Sequence, residues 1–243
     1  MPAGTLPAVD WLWANLVLLV GSIVQGAAGF GGNMFAAPFL VLIDPDLVPG
    51  PALISALAVN LAMVAREKGD GDWNRVWPAL AGRVPGNVAG AAVLVALSGD
   101  ALRWFFAITV LTVVALSASG LHVRVTPRSL FAGGFGAGFT ATSIAIGGPP
   151  IALVMQSSDG PVVRSTLARF FTIGIVLSLA TLSLFGRFDG DDLVAGLALL
   201  PGTLAGFAVS KPFTRILDRG YTRSVILVLS ASAAVVALGR AVL

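Results

Sequence analysis

Aspartate, glutamate, lysine and arginine make up only 11% of this 243-residue chain, and that scarcity limits what it can fold into. A soluble domain carries about 25% charged residues, because its surface meets water. Here 56% of residues are hydrophobic, and the mean hydropathy is +0.92. The apolar side chains must therefore face lipid as well as one another. The expected fold class is an all-α polytopic membrane protein, with the lipid bilayer as its first partner.

The rest of the composition narrows the function. Cysteine is absent, which excludes a disulfide framework, a thiolate metal site and a redox dithiol. A pI near 10.2 points towards nucleic acid only superficially. The net charge is +3 and no basic run is interleaved with aromatics, so no nucleic-acid partner is expected. The only histidine, His122, sits beside Arg124 in a loop, leaving no Ser-His pair or histidine metal site in the membrane. No carboxylate lies deep in a span, so no aspartyl dyad is available. No catalytic residue, metal or cofactor is expected. Residues Met1 to Asp10 lack Lys and Arg, so the apolar stretch from Trp11 reads as a retained membrane segment rather than a signal peptide.

Punctuation by polar, Gly and Pro residues divides the chain into about ten hydrophobic segments. They are Trp11 to Phe30, Asn33 to Ile43, Pro51 to Ala65, Val76 to Leu97 and Ala101 to Leu121, then Ser129 to Ser143, Ile146 to Gln156, Val163 to Phe185, Leu193 to Ser210 and Thr222 to Ala241. A full span needs about 20 residues at a rise of about 1.5 Å each. Segments two and seven are too short to cross alone, so segments 1–2 and 6–7 read as broken or re-entrant pairs with glycine-rich tips. The basic residues orient the bundle. With both termini outside, the inner loops hold Arg66, Lys68, Arg75, Arg124, Arg128, Arg164, Lys211, Arg215, Arg219 and Arg223. The outer side holds only Arg103, Arg187 and Arg240, beside most of the acids. This is a positive-inside distribution. The tryptophans Trp11, Trp13, Trp73, Trp77 and Trp104 fall near segment ends, as interfacial anchors do.

An internal repeat organises the chain. The stretch from Pro85-Gly86-Asn87 to Gly90 and Val93 matches Pro201-Gly202-Thr203 to Gly206 and Val209 at an offset of 116, which also places Gly31-Gly32 on Gly147-Gly148. With small gaps, Pro51 and Ser55 fall on Pro161 and Ser165, and Arg103 on Arg223. Residues 1–121 and 122–243 form the two copies of one membrane domain. Five segments per copy is an odd number, so the second copy enters from the opposite side. Inverted repeats with interrupted segments at matching positions mark secondary transporters.

The matched diglycines are the candidate site. The first copy reads Gln25-Gly26-Ala27-Ala28-Gly29-Phe30-Gly31-Gly32-Asn33, and the second reads Thr142-Ser143-Ile144-Ala145-Ile146-Gly147-Gly148-Pro149-Pro150. Glycine pairs permit positive φ, and a helix restarting there presents free N–H groups and its positive dipole end to an anion. Gln25, Gly29, Gly31, Gly32, Asn33, Thr142, Ser143, Gly147 and Gly148 are therefore candidate substrate-binding residues; the alternative for the glycines is close helix packing. Arg83 and Arg169 lie inside segments, where an arginine is costly and faces a cavity or the bundle interior, and a guanidinium fork suits an oxyanion. The alternative is that each snorkels or bonds backbone carbonyls. Asn60 and Asn87 lie in apolar segments as cavity-lining or interhelical groups. Pro85-Gly86 beside Asn87 predicts a further helix irregularity.

These motifs, Gly-Phe-Gly-Gly-Asn with a following Pro, Ile-Gly-Gly-Pro-Pro, and the repeated Pro-Gly…Ala-Gly, resemble the sulfite exporter TauE/SafE family over essentially the whole chain. The resemblance implies a bacterial inner-membrane transporter of sulfite, sulfonates and related sulfur oxyanions. Ala145 stands where the first copy has Gly29, a departure from symmetry. Interior cations without interior anions independently suggest a small anionic substrate, driven outward by an inside-negative potential. An anion-selective channel built from re-entrant glycine-rich segments is the alternative; a purely structural scaffold would need neither paired breaks nor interior arginines. Close-packed Gly/Ala faces fit a monomer or a homodimer.

Overall fold

The computed structural model describes residues 6–67, 69, 71–119, 121, 123–155 and 160–216. Among these, helices are the only regular elements. In chain order they are α1 (Ala8–Ala28), α2 (Gly32–Ile43), a 3₁₀ turn (Pro45–Leu47), α3 (Gly50–Arg66), α4 (Trp73–Ala96), α5 (Gly99–Ala118), α6 (Pro127–Ile144), α7 (Gly148–Met155), α8 (Gly160–Leu184), α9 (Gly190–Ala198), α10 (Leu200–Val209) and α11 (Lys211–Ile216). Lys68, His122, the expected tenth segment and the arginines at 219, 223 and 240 lie outside the described residues.

The first eight expected segments each fall on one helix, with ends shifted by a few residues. The ninth divides into α9 and α10, bent by 41° where Leu199 leaves the helix just before Pro201. The irregularity expected at Pro85-Gly86 is absent: α4 runs unbroken through both Pro78 and Pro85. Each proline deletes one helical N–H, and close packing on both sides of α4 holds the remaining turns in line. Five helices are long and apolar enough to cross a membrane, or six with α9 and α10 as one span. Ten full crossings are not present among the described residues. At 12 and 8 residues, α2 and α7 are too short. Glycines and hydroxyls make α6 too weakly apolar, although it has 18 residues.

Small residues set the packing. Gly82, Gly86 and Gly90 of α4 lie against the carbonyls of Phe131, Phe135 and Phe139 of α6, while Gly134 and Gly138 of α6 lie against those of Ala79 and Arg83. Residue numbers rise together along this seam, so α4 and α6 run parallel with backbones in contact. Gly202 and Gly206 of α10 meet Asn15 and Leu19 of α1 in the same way. The pairings recur between the halves: α4 on α6 as α10 on α1, α4 on α8 as α9 on α3, and α6 on α7 as α1 on α2, with α3 against α8 between them.

Charge is segregated along the bundle. α3 starts with Gly50 beside Asp192, where Asp46, Arg187, Asp189 and Asp191 line a common groove. It ends at Arg66, near Arg164 and Ser210. One end of the bundle is therefore acidic and the other basic. The exposed Trp13, Trp73, Trp77 and Trp104 fit interfacial anchors.

Candidate functional site

Both expected breaks are present. α1 stops at Gly29 (φ 92°) and α2 restarts after Gly31 (φ 94°). α6 stops at Ala145, which takes the same left-handed conformation (φ 60°) without being glycine. The second break thus keeps a left-handed turn at this position, with a Cβ in a strained conformation, but has no counterpart to the positive φ of Gly31. Ala145→Gly is expected to be tolerated, whereas Ala145→Val should lose about 1–3 kcal/mol; thermal unfolding in detergent measures both.

The α1–α2 pair opens towards the acidic end and the α6–α7 pair towards the basic end, and their tips touch. A Cβ on Gly148 would lie 3.3 Å from the Phe30 ring and 3.5 Å from the Gly31 nitrogen. Asn33 Nδ2 donates to the carbonyls of Ala52 and Ala145, both at 3.2 Å, so one amide ties the second tip to α2 and α3. Between the tips lies a cavity of about 40 Å³ lined by Gln25, Phe30, Gly31, Asn33, Asn60, Arg83, Gly147 and Gly148, among others. At about 10–15 Å³ for each water, it suits a solute of a few heavy atoms.

Arg83 is the dominant polar group here. It is 0% exposed, the largest fully buried side chain. Its Nη2 donates to Ser178 Oγ at 3.4 Å, while Nε and Nη1 have no hydrogen-bond partner among the described residues. Among the described residues no carboxylate pairs with it. Its guanidinium carbon lies 4.9 Å from the Phe170 ring centroid and 5.9 Å from that of Phe171, a cation–π seat that offsets part of its desolvation. Gly174 makes the seat possible, because any Cβ there would overlap the guanidinium. In the orientation that satisfies its neighbours, the Asn87 amide donates at 3.2 Å to Ser178 Oγ, Thr142 Oγ1 and the Arg83 carbonyl. Asn87 and Thr142 therefore support the arginine from behind rather than line the cavity.

The other candidates divide by place. Gln25 Oε1 accepts from the Gly32 N–H at 3.0 Å, and Gln25 Nε2 donates to Asn60 Oδ1 at 3.4 Å. Gly32 therefore spends its N–H on Gln25. Gly29 lies under Arg164, away from the cavity lining. Ser143 donates to the Phe139 carbonyl at 2.7 Å, a local helix bond. Arg169 donates to the Ser165 carbonyl at 3.0 Å beside Gly71 at the basic end, outside the cavity lining. The second tip is poorer in donors than the first, because Pro149 and Pro150 carry no N–H in the first turn of α7. Sequence reasoning did not assign Phe170, Gly174 or Ser178 to the site. Their spacing of four residues along α8 was the available signal, one helical stripe of aromatic, small and hydroxyl groups.

A multi-pass helical membrane protein with two broken helix pairs meeting at a buried arginine is the class defined by these features. The family model for the sulfite exporter TauE/SafE matches residues 14–237, and the chain belongs to that family. It is thus a member of a transporter family, not of an enzyme family. No curated protein and no solved structure gives a significant match.

Proposed function

We propose that this protein is a secondary transporter that exports a small sulfur-containing oxyanion, such as sulfite or an organosulfonate, across the bacterial inner membrane. The observation that carries this reading is Arg83, fully buried beside the cavity between the two tips, with two guanidinium nitrogens that have no hydrogen-bond partner among the described residues. A buried cation without a counterion is costly, and an anion accepting from its fork offsets that cost. The recurring helix pairings and the oppositely opening hairpins support two inverted repeats that alternate access around the cavity. The basic end faces the cytoplasm by the positive-inside rule, with both termini outside. Export draws on the membrane potential and needs no buried carboxylate.

A ligand panel on the purified protein tests the assignment. An oxyanion at 100 times its Kd should stabilise the chain by about 2.7 kcal/mol, and chloride at equal ionic strength should not. Equal thermal shifts for sulfite, sulfonates and chloride would reject an oxyanion site. Flux in proteoliposomes should follow an imposed potential; flux that ignores the potential and tracks ΔpH would reject the driving force.

A further inference from the structure

We infer that Arg66, Glu67 and Arg164 form an ionic latch that closes the basic end of the bundle over the Arg83 cavity. The inference rests on reading that cavity as the transport site. Glu67 caps the C-terminus of α3, and its Oε1 lies 3.5 Å from Arg66 Nη2 and 3.7 Å from Arg164 Nε. One carboxylate thereby joins the end of α3 to the start of α8. Arg66 carries the connection further. Its Nη1 donates to Ser210 Oγ at 2.8 Å and its Nη2 to the Gly26 carbonyl, while its guanidinium stacks on Phe207 at 4.4 Å. Arg164 packs its stem over Gly29. Four helices are held at one point.

That point lies directly beyond the cavity. Gln25 and Phe30 line the cavity, and the neighbouring Gly26 and Gly29 are the positions the two arginines hold. Asn60 lies six residues before Arg66, and Phe171 seven residues after Arg164, so the arginines stand about 9 Å and about 10.5 Å along their helices from a lining residue. Both N···O distances to Glu67 exceed those of a tight charge-assisted bond, which suits a contact that breaks and reforms. Without the carboxylate, two guanidinium groups would face each other across the gap between α3 and α8. The basic end would part there while the tips stayed closed.

The absence of native cysteine allows a direct test. Ala56 lines the cavity, and Ala56→Cys reports its accessibility to a membrane-impermeant methanethiosulfonate in reconstituted vesicles. A separate Ser119→Cys chain fixes which face carries the basic end. Glu67→Gln should raise labelling from the basic side at least tenfold and leave labelling from the acidic side unchanged. Arg164→Gln should act in the same direction, and carries the test alone if Glu67→Gln does not fold. Arg103→Gln, in the exposed pair with Asp100, is the control and should change neither rate. Unchanged labelling in folded variants, or an equal rise from both sides, would overturn the latch. Labelling is measured without any oxyanion. Failure of the latch therefore leaves the oxyanion panel intact, and failure of the panel leaves the labelling result standing.

Discussion

Arg83→Met is expected to make the protein more stable and unable to bind its ligand. Methionine keeps much of the volume against Phe170 and Phe171 while removing a buried charge that has no carboxylate partner among the described residues. Replacing buried ionic groups by apolar ones of similar volume commonly gains about 1–4 kcal/mol. The same change removes the free Nε and Nη1 donors. Two charge-assisted hydrogen bonds at about 1.5–3 kcal/mol each correspond to a loss of at least about 100-fold in oxyanion affinity, and flux should fall to background. Arg83→Lys keeps the charge without the planar fork and should retain only part of the binding. Thermal unfolding with and without oxyanion reads both effects in one experiment. A variant that loses stability yet keeps its oxyanion-dependent shift would show that Arg83 serves only the fold.

Gly82→Leu is expected to have the largest effect on folding. A Cβ at Gly82 would run into the carbonyl of Phe131, and one at Gly134 into the carbonyl of Ala79. These obstacles are backbone, so no rotamer change relieves them. Overpacking a tight core by a few methylenes already costs about 1–3 kcal/mol, and leucine must push α4 and α6 apart along their whole seam. Gly99→Leu is the contrast, because among the described residues nothing lies within 4 Å of a Cβ there, although its φ of +55° adds local strain. Detergent-solubilised yield and monodispersity should collapse for Gly82→Leu and survive for Gly99→Leu. Comparable yields for the two would mean that α4 and α6 do not pack through these glycines.

Much of the bundle was legible because hydrophobic length and glycine punctuation are local signals. The breaks at Gly29 and Gly31 follow from backbone freedom alone, and Arg83 from the cost of charge in an apolar run. The second break is less obvious, since Ala145 adopts its left-handed turn under tertiary constraint, and alanine does not advertise that conformation. Pro85 misled in the other direction: neighbouring helices on both sides of α4 suppress the kink its sequence suggests. The bend fell instead at Leu199, before the matched Pro201 of the second copy. Arg169 and Arg83 look alike in sequence, each a few residues inside a segment. Only the packing of α8 places one beside Ser165 at the bundle's end and the other over Gly174 at its centre. Nothing in the sequence singles out Glu67 for the same reason, because Arg164 is brought to it by a helix end distant in the chain.

The prolines at the start of α7 carry a thermodynamic consequence. An anion bound there would find the backbone N–H groups of Gly31 and Asn33 on one side, Gly32 having given its own to Gln25, and almost none opposite, so its solvation shell inside the protein would be lopsided. In a carrier that exposes this pocket first to one compartment and then to the other, the two faces would release the solute with unequal ease. Detailed balance still forbids net movement at equilibrium. Half-saturating concentrations measured from the two sides would nonetheless differ, and their ratio would be set by which hairpin moves away from the guanidinium.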